Sequence, residues 1–142
     1  LCKKIVKEKT LVDFLCLGEM TNLAALLLFH PEIESLIGRI IICPGEKDGE
    51  CRYPVSEKNV LRDPIAAKVI MKSSIPKCIV TEETDGKQRK LVREYLKNPT
   101  ELEEQPVYVS VQTAESHTYG SLYLDQWDIC KQTPNAVLIQ WK

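Results

Sequence analysis

Three acidic residues near the middle of the sequence have the side chains that acid–base chemistry requires. Glu82, Glu83 and Asp85 follow an apolar segment, so two of their carboxylates could form a catalytic pair. Acids in an exposed loop before a helix are far commoner, and their charge suits the positive end of the helix dipole. Cys43 could act as a nucleophile if its thiolate were stabilised, but no histidine lies near it in the sequence. We therefore expect neither the acids nor this thiol to be catalytic.

A basic cluster and a histidine are two further candidates. One predicted helix carries four basic residues, Lys87, Arg89, Lys90 and Arg93. We interpret this cluster as a solvated helix face, with phosphate binding as the alternative. His117 stands two residues before Tyr119 in a predicted turn, and we expect it at the surface.

The cysteines give the chemical setting of the chain. The six cysteines of the 142-residue sequence form no C-x-x-C pair, and neither histidine has zinc-finger spacing from one of them. Cys16, Cys43 and Cys78 lie in apolar segments, which is typical of small buried hydrophobic residues. This pattern favours reduced thiols and an intracellular, cytoplasmic location. A disulfide between Cys43 and Cys51 stays open as the alternative.

Composition argues against two classes of partner. Apolar residues make up 44% of the chain and charged residues 27%, and the net charge of −1 leaves no basic excess for nucleic acid. No apolar segment approaches the roughly 20 residues of a membrane helix, and the longest spans residues 23–29. The first residue is Leu1 rather than Met. We therefore expect that the chain begins inside a longer product or that upstream residues are absent.

Strand patterns alternate with helix patterns over the first two thirds of the sequence. Short apolar segments predict buried strands at residues 11–17, 39–43 and 76–81. Because helices connect them, right-handed crossovers make the three strands parallel. In such a sheet a ligand site lies beyond the carboxyl ends of the strands. Those ends are Leu17-Gly18, Cys43-Pro44-Gly45 and Thr81-Glu82-Glu83.

Helix signals lie between these strands. Thr21 or Asn22 can cap a helix that extends to residue 29, and its apolar character on all sides predicts burial all round. Pro31 begins a short helix that Gly38 can end. Asp63-Pro64 begins another helix, and residues 86–97 form a polar-faced one.

The last third of the sequence changes character. Residues 107–111 alternate between apolar and polar, and residues 121–124 and 136–139 are further strand candidates. We predict one domain over residues 1–142, with a parallel part over 1–98 and antiparallel strands over 105–142. The predicted fold class is α/β, a small mainly parallel sheet flanked by helices with a C-terminal antiparallel appendage.

The predicted strand ends carry an ordered series of motifs. Leu17-Gly-Glu-Met-Thr-Asn22 precedes the apolar helix, and His30-Pro-Glu32 and Ile40-Ile-Ile-Cys-Pro-Gly45 follow it. Glu57-Lys-Asn59 and Asp63-Pro-Ile-Ala-Ala67 come next. This series resembles the middle of inosine–uridine-preferring nucleoside hydrolases, which read L-G-P-L-T-N, D-P-E, M-G-G, E-F-N and D-P-E-A-A at these places. The resemblance covers most of the chain.

The resemblance implies hydrolysis of the N-glycosidic bond of a ribonucleoside. In the family a calcium ion held by aspartates binds the ribose and a water, and an aspartate acts as base. The resemblance assigns Glu57 and Asn59 to ribose contacts and the backbone carbonyl of Leu17 to a calcium-ligand position. The alternative is that Glu57 is an ordinary loop acid and that Asn59 ends the loop before the helix.

Several departures from the family pattern put catalysis in doubt. The family's aspartate cluster, D-x-D-x-x-x-D-D, and its later His-Asp pair have no match in this sequence. Cys43 replaces the Met of M-G-G, Pro44 replaces its first Gly, and Lys58 replaces the Phe of E-F-N. Calcium takes about six to eight oxygen ligands, more than the one matched carbonyl supplies. We therefore predict a truncated pseudoenzyme that holds no cofactor and is inactive alone.

Two hypotheses for function follow. The first is a degenerate nucleoside-hydrolase-like protein, non-catalytic or one piece of a larger enzyme, with a ribonucleoside as its candidate ligand. The second is a structural or interaction protein that reuses the fold within an assembly. Missing strands would leave a sheet edge and apolar helix faces, which a protein partner or self-association would cover. We expect the chain to fold only marginally on its own.

Overall fold

The computed structural model describes residues 1–8, 10–45, 57–81, 85–114 and 119–142. Its strands are β1 (Val12–Cys16), β2 (Ile37–Ile42), β3 (Lys77–Val80), β4 (Leu102–Val111), β5 (Leu122–Asp125) and β6 (Ala136–Trp141). Its helices are α1 (Cys2–Lys7), α2 (Thr21–Phe29), α3 (Lys58–Arg62), α4 (Pro64–Lys72) and α5 (Asp85–Lys97). Short 3-10 helices cover Pro31–Leu36 and Pro99–Glu101.

The six strands form one sheet in the order β1-β2-β3-β6-β4-β5. β1, β2 and β3 run parallel, and Ile41 of β2 stands opposite both Leu15 of β1 and Cys78 of β3. β4 runs antiparallel to β6, and β5 runs antiparallel to β4. The predicted fold class, a small mainly parallel sheet flanked by helices with an antiparallel C-terminal part, is confirmed.

The last strand differs from the sequence prediction in one respect. The sequence predicts antiparallel strands throughout residues 105–142, but β6 pairs in parallel with β3, where Leu138 stands opposite Ile79. Only its other edge pairs with an antiparallel strand, β4. A central strand covered on both faces favours an uninterrupted apolar segment, which Ala136-Val-Leu-Ile139 supplies. The parallel part of the sheet therefore has four strands rather than three.

Side chains of the central strands divide between two packed layers. Ile40 and Ile42 of β2 pack in the layer that contains α2 and α4. Ile41, which lies between them, packs in the layer that contains α5. This division follows from the two-residue period of a strand. Full burial of one such side chain contributes about 1.5–3 kcal/mol, so the centre of the sheet holds the fold together.

Two of the predicted helix starts have different outcomes. Asp63 caps α4 as predicted, because its Oδ1 accepts a hydrogen bond of 2.9 Å from the backbone N–H of Ala66. The predicted capping of α2 by Thr21 or Asn22 is wrong, since Met20 is the N-cap and no side chain caps it. The hydroxyl of Thr21 instead donates to Asp63 Oδ2 at 2.6 Å. The two residues thus tie α2 to α4.

Helix α2 is not buried all round as its sequence predicts. Leu23, Ala24 and Leu27 are buried against the sheet, but Leu28 and Phe29 are exposed. A helix on one face of a sheet is covered on its other side only if a further layer packs there. Helix α2 therefore presents apolar side chains to solvent.

Two helices were absent from the prediction, and one boundary lies earlier than expected. Helix α1 buries a single residue, Ile5, so it lacks the apolar period that identifies a helix. Helix α3 has only five residues. The short helix that begins at Pro31 ends at Leu36, and Gly38 lies in β2 instead of ending the helix.

The helices are short. The longest described helix, α5, has 13 residues, and its first six contain no large apolar side chain. No helix of the described residues combines the length and the apolar character that crossing a membrane requires.

Candidate functional site

The carboxyl ends of β1 and β2 meet helix α3 at one corner of the sheet. The N–H of Cys43 donates to the carbonyl of Cys16 at 2.9 Å, which joins the two strand ends. The N–H of Asn59 donates to the carbonyl of Pro44, also at 2.9 Å. Leu17, Pro44 and Asn59 are thereby held together, as the sequence predicts for a ligand site beyond the strand ends.

Asn59 is the residue that fixes this corner. Its side chain is buried, with 8% exposure, and Nδ2 donates to the carbonyls of Cys43 at 2.9 Å and Leu17 at 3.3 Å. An amide group has two N–H hydrogens, so both serve the strand ends and the oxygen Oδ1 is the atom it can offer a ligand. Asn59 lies inside α3 rather than at the end of the preceding loop.

Glu57 stands at the N-cap of α3 next to Asn59. Its side chain makes no capping hydrogen bond, and the residue is 6% exposed. Burial sets Glu57 apart from an ordinary solvated loop acid, because a carboxylate is costly to remove from water unless neighbours compensate it. The two residues that the family resemblance assigns to ribose contacts are thus both buried at the carboxyl ends of the parallel strands, where the sequence predicts a ligand site.

Gly45 and Gln88 complete the described part of the corner, and the sequence prediction missed Gln88. A Cβ atom on Gly45, whose φ is +96°, would lie 3.1 Å from Cγ of Asn59, so glycine allows the close approach. Gln88 is buried, and its Nε2 donates to the carbonyl of Gly45 at 2.9 Å. A signal for Gln88 was present, since it lies three residues before Leu91 and four before Val92 on the apolar face of α5.

The remaining candidates lie elsewhere or outside the described residues. Cys43 is buried in the layer of α5, which fits a packing role. Lys90 lies on an exposed face of α5, where its Nζ stands 5.6 Å from the ring centre of Trp141. Asp85 is the first residue of α5. Glu82, Glu83, Cys51 and His117 fall in the gaps between the described ranges.

The described residues do not fit a calcium site at Leu17. The Leu17 carbonyl accepts the Asn59 hydrogen bond, and the nearby Glu19 pairs with Arg62 at 3.4 Å. The Glu19 pKa is lowered by a hydrogen bond from its own backbone N–H and then by Arg62. A calcium ion needs about six to eight oxygen ligands, and Glu57 is the one buried carboxylate that the described residues place at this corner.

Comparison with known proteins identifies the family. A family model described as inosine-uridine preferring nucleoside hydrolase matches residues 1–99. The chain belongs to this nucleoside hydrolase family. A curated relative, the pyrimidine-specific ribonucleoside hydrolase RihA of Escherichia coli (strain SMS-3-5 / SECEC), is 36% identical over 76 residues, which are 54% of this chain and 24% of RihA.

Solved structures of the nucleoside hydrolase family share the fold. The inosine-uridine preferring nucleoside hydrolase of Bacillus anthracis superposes with a TM-score of 0.74 at 15% identity, over 99% of this chain and 59% of that one. The purine-preferring ribonucleoside hydrolase of Gardnerella vaginalis gives a TM-score of 0.62 at 19% identity, over 96% and 58%. This chain therefore corresponds to about three fifths of the solved enzymes and about a quarter of RihA.

Proposed function

We propose that this nucleoside-hydrolase-like chain does not cleave ribonucleosides by itself and that it supplies the ribose-facing side of a hydrolase site. The observation that carries the proposal is the position of Leu17. Its carbonyl lies beside Asn59 at the carboxyl end of β1, and β1 is the outermost strand of the sheet on that side.

An added strand would complete such a site. A parallel strand placed outside β1 would lie about 4.8 Å away and would end next to Leu17. Carboxylates at that end would stand near the Leu17 carbonyl and Glu57, where they could hold a cation. The family resemblance implies aspartates and a calcium ion for this role. The described part of the chain supplies the sugar side, and the acidic side would come from elsewhere.

An activity assay tests the non-catalytic part of the proposal. The chain is incubated with inosine and with uridine, with and without calcium, and release of free base is followed by chromatography. We expect no release above the buffer control under either condition. Base release that requires calcium and disappears in Glu57→Gln would contradict the proposal, because it would show a complete site in this chain.

A binding experiment tests the sugar side. We expect calorimetric titration with ribose and inosine to give heat that Glu57→Gln reduces at least about tenfold. Glu101→Gln is the matched control, since Glu101 is an exposed acid of the 3-10 helix after α5. Absence of heat with the unchanged chain would contradict ribose binding and would leave the scaffold function described next.

Protein binding is a second candidate function, and the exposed apolar side chains of β1, of the residues flanking it and of the end of α2 favour it. We define the β1 flank as Leu11, Leu15, Leu17, Leu28 and Phe29, which are all exposed. Phe29 is 80% exposed, although the helix that carries it is packed on the sheet by its other side. Large exposed apolar groups of this kind mark interaction surfaces, so we propose that a protein partner or a second copy covers the β1 flank.

Sedimentation velocity over a range of concentrations tests self-association. If the β1 flank mediates it, Leu15→Lys will shift the chain toward monomer. Leu96→Lys is the matched control, because Leu96 is exposed on α5 away from β1. A monomer at every concentration would contradict self-association, and equal effects of the two variants would show that the β1 flank has no special role.

The described thiols support the proposed cytoplasmic location. Burial raises the pKa of Cys16 to about 11 and also raises the pKa of Cys78. Neither of these two residues forms a disulfide. Cys16 is half-buried and Cys78 is buried. Disulfides are rare in reducing compartments such as the cytoplasm.

A further inference from the structure

Three side chains of different chemistry converge where α1 begins and α2 ends. We propose that Cys2, His30 and Glu32 form a binding site for a zinc-type divalent cation. A sulfur, an imidazole nitrogen and a carboxylate oxygen from these residues all lie within 4.8 Å of one another. His30 Nδ1 and Glu32 Oε1 are 3.1 Å apart.

The spacing suits a tetrahedral ion. Zinc binds nitrogen and oxygen at about 2.0–2.2 Å and sulfur at about 2.3 Å, so tetrahedral ligand atoms stand roughly 3.3–3.7 Å from one another. The His30–Glu32 pair is already close to this separation. The half-buried Cys2 packs against the edge of the core, which fixes its position. Rotation of the exposed Glu32 and His30 side chains can close the remaining distances.

The ligand types select the cation. A thiolate with an imidazole favours zinc or cobalt, whereas calcium and magnesium prefer sites made of oxygen ligands alone. On binding, the Cys2 thiol would release its proton to solvent, and His30 would bind through a neutral Nδ1 with its proton on Nε2. The fourth position is open to water, since all three residues are accessible.

The cation site lies away from the corner that we propose for ribose binding. Helix α2 leads from the carboxyl end of β1 back to the start of β2. His30 therefore lies near the amino-terminal ends of the parallel strands, whereas Leu17 and Asn59 lie at their carboxyl ends. A cavity of about 490 Å³ opens beside His30 and Phe29. An ion here would link α1, which buries only Ile5, to the end of α2.

Cobalt titration of the tag-free full chain tests the site. We expect a near-ultraviolet thiolate-to-cobalt absorption band that appears on binding and that zinc displaces. Cys2→Ser should abolish the band, and His30→Ala and Glu32→Gln should each weaken cobalt binding at least about tenfold. Cys130→Ser is the matched control, because Cys130 is an exposed cysteine near the opposite edge of the sheet, and it should leave the titration unchanged.

Several outcomes would overturn the proposal. These are the absence of the band in the unchanged chain, its persistence in Cys2→Ser, its loss in Cys130→Ser, or its displacement by excess calcium. Circular dichroism without metal shows whether each variant folds, and Glu32→Gln alters only an exposed side chain. Zinc should also raise the thermal midpoint of the unchanged chain but not that of Cys2→Ser. None of these readouts depends on nucleoside hydrolysis.

Discussion

The two edges of the sheet are finished in different ways. β5 has four residues, and the turn beyond it is held by Asp125, whose two carboxylate oxygens accept the N–H groups of Ile129 and Cys130 at 2.8 Å each. At the other edge, Leu15 of β1 and Leu17 just after it are exposed, and the described residues place no further strand beside them. Proteins usually keep edge strands short, charged or covered. Apolar side chains are exposed on both sides, Leu15 in β1 and Trp127 and Ile129 in the turn after β5. The turn after β5 is fixed by its own carboxylate, whereas the β1 edge is suited to a neighbour.

Matched leucine substitutions should give the largest difference between the β1 flank and the rest of the sheet. Leu138 of β6 is 1% exposed, and Leu15 of β1 is 41% exposed. We expect Leu138→Ala to lower the free energy of unfolding by about 2–5 kcal/mol, because it leaves a cavity between two packed layers. Leu15→Ala should cost less than about 1 kcal/mol, because its side chain is already partly in water. Urea denaturation measures both changes.

The leucine pair also reports whether the β1 flank is covered in solution. If Leu15→Ala destabilised the chain as much as Leu138→Ala, Leu15 would have to be buried in the protein as measured. The exposure of Leu15 would then hold for a single isolated chain but not for the protein in solution. Repeating the denaturation at a higher protein concentration would show whether a second copy supplies the cover.

Thiol reactivity should differ between the edges by a smaller but clear factor. Burial raises the pKa of Cys16 from 9.0 to about 11, so its thiolate is about a hundredfold rarer at neutral pH. Cys130, beyond β5, is exposed and donates from its Sγ to the hydroxyl of Tyr123 at 3.2 Å. We expect iodoacetamide to modify Cys130 well before Cys16, as measured by peptide mass spectrometry.

A control separates reactivity from opening of the sheet edge. Cys130→Ser should leave the slow rate at Cys16 unchanged. If Cys16 reacted as fast as Cys130, β1 would have to open from β2 on the timescale of labelling, and the edge would be unfolded rather than uncovered. Labelling at low urea concentrations would then show the same local opening.

Much of the fold could be predicted because local signals and tertiary structure agree. Asp63-Pro64 combines a cap with a favoured first-turn residue, and the structure places α4 there. β6 was predicted as a strand, but its parallel partner β3 lies far away in sequence, and no local pattern specifies such pairing. Helix α2 misled the prediction for a related reason. Apolar residues indicate what would be buried in a complete layer, and Leu28 and Phe29 have no such layer in the described residues.

The candidate site was predicted in position but not in detail. The rule that ligands bind beyond parallel strand ends located Leu17 and Pro44, and the family resemblance located Glu57 and Asn59. Both amide hydrogens of Asn59 serve the strand ends because the fold brings the carbonyls of Leu17 and Cys43 within reach of one side chain. Gln88 was missed because a buried amide on an otherwise charged helix is visible only through its place in the helical period.

A last prediction concerns the contact between Thr21 of α2 and Asp63 at the start of α4. Asp63 accepts hydrogen bonds from Thr21 and from the Ala66 N–H, and these two bonds, in that order, lower the pKa of its carboxyl group. We expect Asp63→Ala to lower the free energy of unfolding by about 1 kcal/mol, the usual value of a helix N-cap. Thermal or urea unfolding near neutral pH measures the change.

The sign of the pH dependence follows from the lowered pKa. Folding stabilises the ionised form of Asp63. Its contribution to the free energy of unfolding is therefore complete above the unfolded-state pKa and is lost as the pH falls through the folded-state pKa. Asp63→Asn keeps an oxygen acceptor for the Ala66 N–H but cannot titrate. The difference in stability between the unchanged chain and Asp63→Asn should therefore shrink toward acid pH. A difference that stayed constant would mean that the charge of Asp63 plays no part in holding α2 to α4, and that helix capping alone explains the residue.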